Sequence, residues 1–426
     1  MSATVEGSDA ILERLLGQGI RLELDPFRSL LAVLGQPQRA APALLVAGTN
    51  GKGSVAALAD SALRAAGYRT ALATSPHLAR PHERIRIDGV EISESELAAT
   101  LRRIVAAAPE SLPPTYFEAL VATAFLAGAD RRVDAFVLEV GLGGRLDATN
   151  ACDPVVSVVT RIALDHRAEL GGTLGAIARE KAGILRAGRP AVLGEQEEEA
   201  ATALAIAAED VGARARWVSS TVRTLRRRGR GLLGHSLELA TEDSRYALDL
   251  PLAGAHQVEN ARTAVAACEE LARSGFPALD PAAIATGFAR ARWPGRLEAL
   301  TPEPGDVTYL LDAAHNPDGC AALARFLAEL GRPHVLVFGA LADKEATEML
   351  GRLAPGAATT LLTRPASPRA LAPEKLAAGL PAAVVVEEPE AALARARALA
   401  VAGGIDLVVV AGSLYLVGPV RARLAG

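Results

Sequence analysis

The sequence predicts an α/β fold in two parts: a larger, mostly parallel sheet with a small antiparallel section, then a smaller Rossmann-like α/β unit. Three observations carry this prediction. Short β-branched runs alternate with Ala/Leu-rich amphipathic stretches along most of the chain, which is the pattern of βαβ units. The alternation breaks once, between Trp293 and Asp306, where three prolines and two glycines fall within fourteen residues. It then resumes to the C-terminus. We therefore divide the chain into residues 1–297 and 298–426.

In order, strands are expected at Ala43–Ala47, Thr70–Ala73, 133–140, 155–160 and Pro190–Leu193. A helix is expected over 53–66, because Val55, Leu58, Ala59, Ala62, Leu63 and Ala66 recur on one face. The run Glu83-Arg84-Ile85-Arg86-Ile87-Asp88-Gly89-Val90 alternates with period two and turns at Asp-Gly, which predicts a hairpin. Residues 217–250 also read as antiparallel, and the basic run Arg226-Arg227-Arg228-Gly229-Arg230 is expected in a solvated hairpin loop there. Past the Pro/Gly segment, strands are expected at Thr308–Asp312, 334–338, 359–363, 382–386 and 406–411.

Composition narrows the function. The 426 residues carry 45 Lys+Arg against 49 Asp+Glu, a net charge of −4, and only 4% are aromatic. No basic face or stacking platform for nucleic acid is expected. Cys152, Cys268 and Cys320 are far apart, without the spacing of a zinc site or disulfide framework. Met1 to Gly7 lack the basic start and apolar run of a secretory leader. The longest uncharged stretch, 407–420, is too short to span a bilayer. A cytoplasmic, monomeric enzyme or nucleotide-binding protein is expected.

Leu44-Leu45-Val46-Ala47 runs into Gly48-Thr49-Asn50-Gly51-Lys52-Gly53-Ser54 and then a helix. A strand, a Gly-rich turn and a helix N-terminus make an anion site, because free N–H groups and the helix dipole both face the ligand. Lys52 reaches the β- and γ-phosphates in such a P-loop, and a hydroxyl just beyond it lies near Mg²⁺. The common GxxxxGK[ST] pattern is not met, since Val46 takes the first glycine position and Gly53 separates Lys52 from Ser54. Further on, Val137-Leu138-Glu139 is an apolar strand ending in an acid that can hold the metal of ATP, and Gly141-Leu142-Gly143-Gly144 lets backbone approach a ligand.

Gly48-Thr49-Asn50-Gly51-Lys52-Gly53-Ser54 resembles the ATP loop of the Mur ligase superfamily, and the inserted glycine resembles its folate branch, the folylpolyglutamate synthase/dihydrofolate synthase family. Thr74-Ser75-Pro76-His77-Leu78, the segment from Val137 to Asn150 and Leu164-Asp165-His166 fall in the family's order. Arg167 and Ala168 depart from its usual Asp-His-Thr loop. The resemblance covers nearly the whole chain.

It implies two Mg²⁺ sites, with Ser75 and Glu139 at one, and His166 with a carbamylated Lys181 at the other. It places Gly48 to Ser54, Asn260, Arg296 and Asp312 on ATP, and His315 near the phosphates. It places Thr115-Tyr116-Phe117-Glu118 and Leu146-Asp147-Ala148 at the pterin, although Thr-x-x-Glu alone reads as a capping box. Gly339 to Lys344 and Ala411 to Tyr415 are family-like strand ends without assigned roles. The reaction it implies uses ATP to join the carboxylate of dihydropteroate or a reduced folate to L-glutamate, with Lys52, Lys181, His166 and His315 as the catalytic set. The alternatives are a UDP-muramoyl cell-wall precursor ligase, or a P-loop nucleotide-binding protein that ligates nothing.

Overall fold

The computed structural model describes residues 7–425. The stretch read for a secretory leader, Met1 to Glu6, lies outside the described residues. Eight strands form the larger sheet: β1 (Ala43–Ala47), β2 (Thr70–Ala73), β3 (Ile85–Ile87), β4 (Val90–Glu91), β5 (Ala135–Glu139), β6 (Pro154–Val159), β7 (Pro190–Leu193) and β8 (Arg214–Trp217). Their order is β4-β3-β2-β5-β1-β6-β7-β8. The run β2-β5-β1-β6-β7-β8 is parallel, and the β3–β4 hairpin turning at Asp88-Gly89 is the antiparallel edge. The central strands β1 and β5 are buried along their full length, as continuous apolar runs in a doubly covered sheet must be.

Helix Lys52–Ala65 packs on one face of this sheet beside Ala255–Arg273 and Pro281–Arg290. Its apolar side enters one core with Leu44, Val46, Val137 and Val158. Helix Tyr116–Arg131 covers the opposite face, where Phe125 meets Phe136 edge-on at 5.4 Å. The carboxyl ends of β1, β2 and β5 then open onto one crevice, where open α/β sheets bind ligands.

A separate antiparallel sheet contains β9 (Arg223–Gly229), β10 (His235–Ala240) and β11 (Arg245–Leu250). The basic run is therefore mostly strand rather than loop. Arg226 to Gly229 lie in the exposed edge strand β9, with Arg226 by Glu238 and Arg227 by Glu329. Trp217 ends the parallel strand β8, so the antiparallel section begins only at Arg223.

The C-terminal sheet has the order β12-β13-β17-β14-β15-β16, from β12 (Glu298–Leu300), β13 (Thr308–Asp312), β14 (Val335–Phe338), β15 (Thr359–Leu362), β16 (Val384–Val385) and β17 (Leu407–Ala411). All neighbours are parallel except β12 with β13. The strand β12 lies inside the segment read as linker. Its prolines flank Glu298-Ala299-Leu300 and leave those three residues free to pair with Tyr309 to Leu311. The three cysteines are free and buried. Among the described residues, no helix is long and apolar enough to cross a membrane.

Candidate functional site

The phosphate loop leaves β1 at Gly48 (φ +143°) and enters its helix at Gly51 (φ +91°). The amides of Thr49 and Asn50 donate to the carbonyl of Arg161, which fixes the turn. The first helical bond runs from Val55 N–H to Gly51 C=O, so the amides of Lys52, Gly53 and Ser54 precede the ladder and form the anion-facing end. Lys52 Nζ donates to Thr49 O at 3.0 Å, over the mouth of its own loop. Ser54 Oγ accepts from Gln257, which in turn accepts from Asn260.

The inserted glycine has a steric reason. A Cβ on Gly53 would lie 2.4 Å from Cζ2 of Trp293 and 3.1 Å from Oε2 of Glu139. Gly53 is thus the floor on which the indole and the carboxylate rest. Gly53→Ala is expected to cost about 1–3 kcal/mol through overpacking, read as a lowered denaturation midpoint with weaker nucleotide binding.

Glu139 is buried at the end of β5, and its carboxylate accepts the Ser75 N–H at 3.1 Å. Burial raises its pKa, although Lys52 opposes the shift. Lys181 is also buried, and among the described residues it has no hydrogen bond or ion pair within the protein. Burial, reinforced by Lys52, pushes its pKa down to about 7. His166 takes a left-handed backbone conformation (φ +50°), uncommon for a non-glycine residue. Burial lowers its pKa despite the adjacent Asp165, which leaves a neutral ring able to ligate.

The two parts of the chain meet across this crevice. Asp165 accepts from Lys344 Nζ at 2.7 Å and from Asn316 Nδ2 at 3.3 Å, and lies 3.8 Å from His315 Nε2. Burial disfavours its ionisation, but Lys344, His315 and His166 outweigh burial and hold its carboxyl below the usual range. Asn50 donates to Asp318 at 2.8 Å and accepts from Asn316 at 3.2 Å. Arg161 also pairs with Asp318. Asp312 is buried, accepts the amides of Leu297 and Ala314, and faces Arg296. Burial pushes His315 down to about 4.

These side chains line a cavity of about 580 Å³ that includes Gly48 to Ser54, Ser75, Glu139, His166, Lys181, Asn260, Arg296, Asp312 and His315. A second cavity, of about 340 Å³, takes Thr115, Phe117, Glu118, Leu146, Asp147 and Ala148. The two share Ser75, Pro76, Gly141, Leu142, His166 and His315. Tyr116 does not line the second cavity; its ring faces the guanidinium of Arg84 at 5.4 Å. Thr115 and Glu118 do form the capping box, and Glu118 also pairs with Arg21. Asp147 accepts the amides of Gly141, Leu142 and Thr149 and the Thr149 hydroxyl. Its charge holds the glycine loop in shape rather than reaching outward. A Cβ on Gly141 would lie 2.5 Å from Phe117, so that glycine admits the aromatic ring to the cavity wall.

The residues could hold Mg²⁺. Among the described residues there is no group of three or more His, Cys, Asp or Glu suited to cage a metal. One buried carboxylate, one hydroxyl and a phosphate-binding loop nevertheless suit an ion that keeps waters and takes substrate phosphates as ligands.

The Mur ligase middle domain matches residues 46–268, and the Mur ligase glutamate ligase domain matches residues 295–414. The chain is 38% identical to a probable bifunctional folylpolyglutamate synthase/dihydropteroate synthase of Haloferax volcanii, over 93% of this chain and 48% of that protein, so it spans about half of that relative. It is 41% identical to the dihydrofolate synthase/folylpolyglutamate synthase of Mycobacterium tuberculosis, over 82% of this chain and 75% of that one. Among solved structures, the M. tuberculosis folylpolyglutamate synthase complexed with ADP and AMPPCP superposes with a TM-score of 0.89 at 36% identity, covering 98% and 99% of the two chains. The Yersinia pestis bifunctional folylpolyglutamate synthase/dihydrofolate synthase with Mn, AMPPNP and L-glutamate bound gives 0.86 at 31% identity, with full coverage of both. With both domains matched in order and the relatives alike in sequence and fold, the chain belongs to the Mur ligase family, in its folylpolyglutamate synthase/dihydrofolate synthase branch.

Proposed function

We propose that this chain is an ATP-dependent ligase that joins the carboxylate of a folate to the amine of L-glutamate, acting as both dihydrofolate synthase and folylpolyglutamate synthase. One observation carries the reading: a phosphate-binding cavity and a flat, partly apolar cavity open into each other at Ser75, Gly141, His166 and His315. A carboxylate held in the second cavity can therefore meet a γ-phosphate held in the first. The ADP, AMPPCP, AMPPNP, Mn and L-glutamate bound by the similar M. tuberculosis and Y. pestis proteins support the same assignment of ligands. We assign residues 1–297 to ATP and folate binding and 298–426 to the glutamate ligase part.

The chemistry needs activation, because a carboxylate is a poor electrophile with a poor leaving group. Transfer of the γ-phosphoryl group to the carboxylate oxygen breaks the γ-phosphate bond of ATP, releases ADP and leaves an acyl phosphate. The glutamate amine then adds to the carbonyl carbon. The tetrahedral adduct loses inorganic phosphate and a proton, leaving the amide. Lys52 and the amides at the helix start position the phosphates and offset their charge. Arg296 adds charge from the hinge, and Asp312 and Asn260 orient the nucleotide. Thr115, Phe117, Leu146 and Ala148 hold the pterin. Ser75 and Glu139 would hold one Mg²⁺, with His166 and modified Lys181 at a second; bound there, the ions neutralise developing phosphate charge.

Lys181 suits carbamylation. A neutral amine adds to CO₂, forms a C–N bond and releases a proton, and a pKa near 7 supplies that amine at neutral pH. As pH falls below about 7 the amine protonates, so carbamate and activity should decline together. A carbamate ¹³C resonance from ¹³CO₂-equilibrated protein, absent in Lys181→Ala, checks this; a bare amine in the active, metal-loaded enzyme opposes it.

The overall test is ATP turnover by purified protein. Phosphate release that requires dihydropteroate or tetrahydrofolate together with L-glutamate is expected. Turnover without an acceptor marks a non-ligating nucleotide-binding protein, and turnover with UDP-muramoyl acceptors marks a cell-wall ligase.

A further inference from the structure

Four cationic side chains line the smaller cavity: Arg21, Arg84, Lys344 and Arg369. Three have carboxylate partners. Arg21 pairs with Glu118 at 3.0 Å, Lys344 with Asp165 at 2.7 Å, and Arg369 approaches Asp343 at 3.5 Å. Among the described residues, Arg84 has no carboxylate partner. Its Nε donates to Nδ1 of His77 at 2.9 Å, and its guanidinium lies over the Tyr116 ring. Neither neighbour supplies a negative charge, since burial pushes His77 down to about 4, which keeps it neutral, and raises the phenol of Tyr116. The adjacent Glu83 is spent on the amides of Leu78, Ala79 and Arg80. A planar donor fork is thus held in place by His77 and Tyr116, with its charge unmatched beside a substrate cavity. That arrangement calls for an anionic ligand, and a guanidinium takes a carboxylate in bidentate fashion.

The position says which carboxylate. Arg84 lines the smaller cavity but not the phosphate-binding one, whereas Ser75 and Pro76, a few residues before it, line both. The reacting acid must sit at that shared boundary. Arg84 stands one step back from it, on the acceptor's side. We propose that Arg84 binds the α-carboxylate of the terminal glutamyl unit of a folate acceptor, while that unit's side-chain carboxylate reaches the phosphoryl group. This deepens the folate-ligase reading and rests on it. Dihydropteroate ends in a single benzoate and has no second carboxylate to offer. Arg84 thus separates the two acceptors: folylpolyglutamate synthesis uses it, and dihydrofolate synthesis does not.

The experiment compares wild type, Arg84→Gln and Arg84→Lys with three acceptors: dihydropteroate, tetrahydrofolate, and tetrahydrofolate whose glutamyl α-carboxylate is converted to an amide. Expected is a loss of about tenfold or more in kcat/KM for tetrahydrofolate in Arg84→Gln, with dihydropteroate little changed. Wild type should discriminate against the α-amide by a similar factor, and Arg84→Gln should not. Arg84→Lys should recover part of the loss. Melting curves and AMPPNP binding matching wild type show that the variants are folded. Equal losses on both acceptors, no loss on either, or a wild type indifferent to the α-amide would each overturn the assignment. So would a wild type that ligates dihydropteroate alone. A wild type that ligates no folate at all instead removes the underlying ligase reading.

Discussion

Glu139→Gln is expected to lower ligation by on the order of 10³-fold while making the ligand-free protein more stable. Both effects come from the same charge. The carboxylate is buried at the end of β5 against the Ser75 amide and the Gly53 floor, where ionisation is penalised. Glutamine keeps the shape and an oxygen for the Ser75 N–H, but loses the negative charge for a cation. Phosphate release in the presence of folate and glutamate reads the first effect. Because burial raises the Glu139 pKa in the folded state, its ionisation opposes folding as pH rises from the ordinary carboxylate range toward the raised folded value. The stability gap between variant and wild type should therefore widen over that window and then level off. Thermal melts at stepped pH measure it. Full activity in Glu139→Gln would remove the acid from the catalytic account.

Lys52→Met is expected to reduce turnover by about 10²–10³-fold, chiefly in kcat. Without nucleotide the ammonium rests on the Thr49 carbonyl, a contact that a γ-phosphate would replace. Methionine retains the stem and helix propensity, so the helix start should persist. The loss then reports charge missing where phosphoryl transfer concentrates it. Single-turnover formation of acyl phosphate, trapped as a hydroxamate with hydroxylamine, would locate the defect in the first step. A variant that forms acyl phosphate at the normal rate but stalls before the amide would place Lys52 elsewhere in the cycle.

Much of this was legible in the sequence because it is local. The phosphate loop is a strand, a turn and a helix in unbroken succession. The acid at the end of Val137-Leu138-Glu139 follows from an apolar run that stops at a crevice. The capping box at Thr115 and Glu118 needs only four residues. What the sequence hid depends on distant partners. Lys344 meets Asp165 across 179 residues, and Asn50 meets Asp318 across 268, so no spacing rule joins them. Glycines at 53 and 141 read simply as flexible until Trp293 and Phe117 are seen pressed against them. Arg84 sat in a hairpin motif whose period-two pattern explained it too easily. Asp147 shows the converse: a motif acid placed by the sequence at the pterin turns out to spend its oxygens on its own loop. The strand β12 was hidden by its flanking prolines, which dominate a composition window and say little about the three residues between them.

The central claim is that one crevice brings a metal-bound triphosphate to a folate's acid. Crystals grown with AMPPNP and Mn²⁺, with anomalous data collected at the manganese edge, test it most directly. The account predicts phosphates seated on the amides of Lys52 to Ser54 and an anomalous peak ligated by the Glu139 carboxylate and Ser75 hydroxyl. Phosphates bound away from that loop, or manganese with Glu139 turned from it, would contradict it.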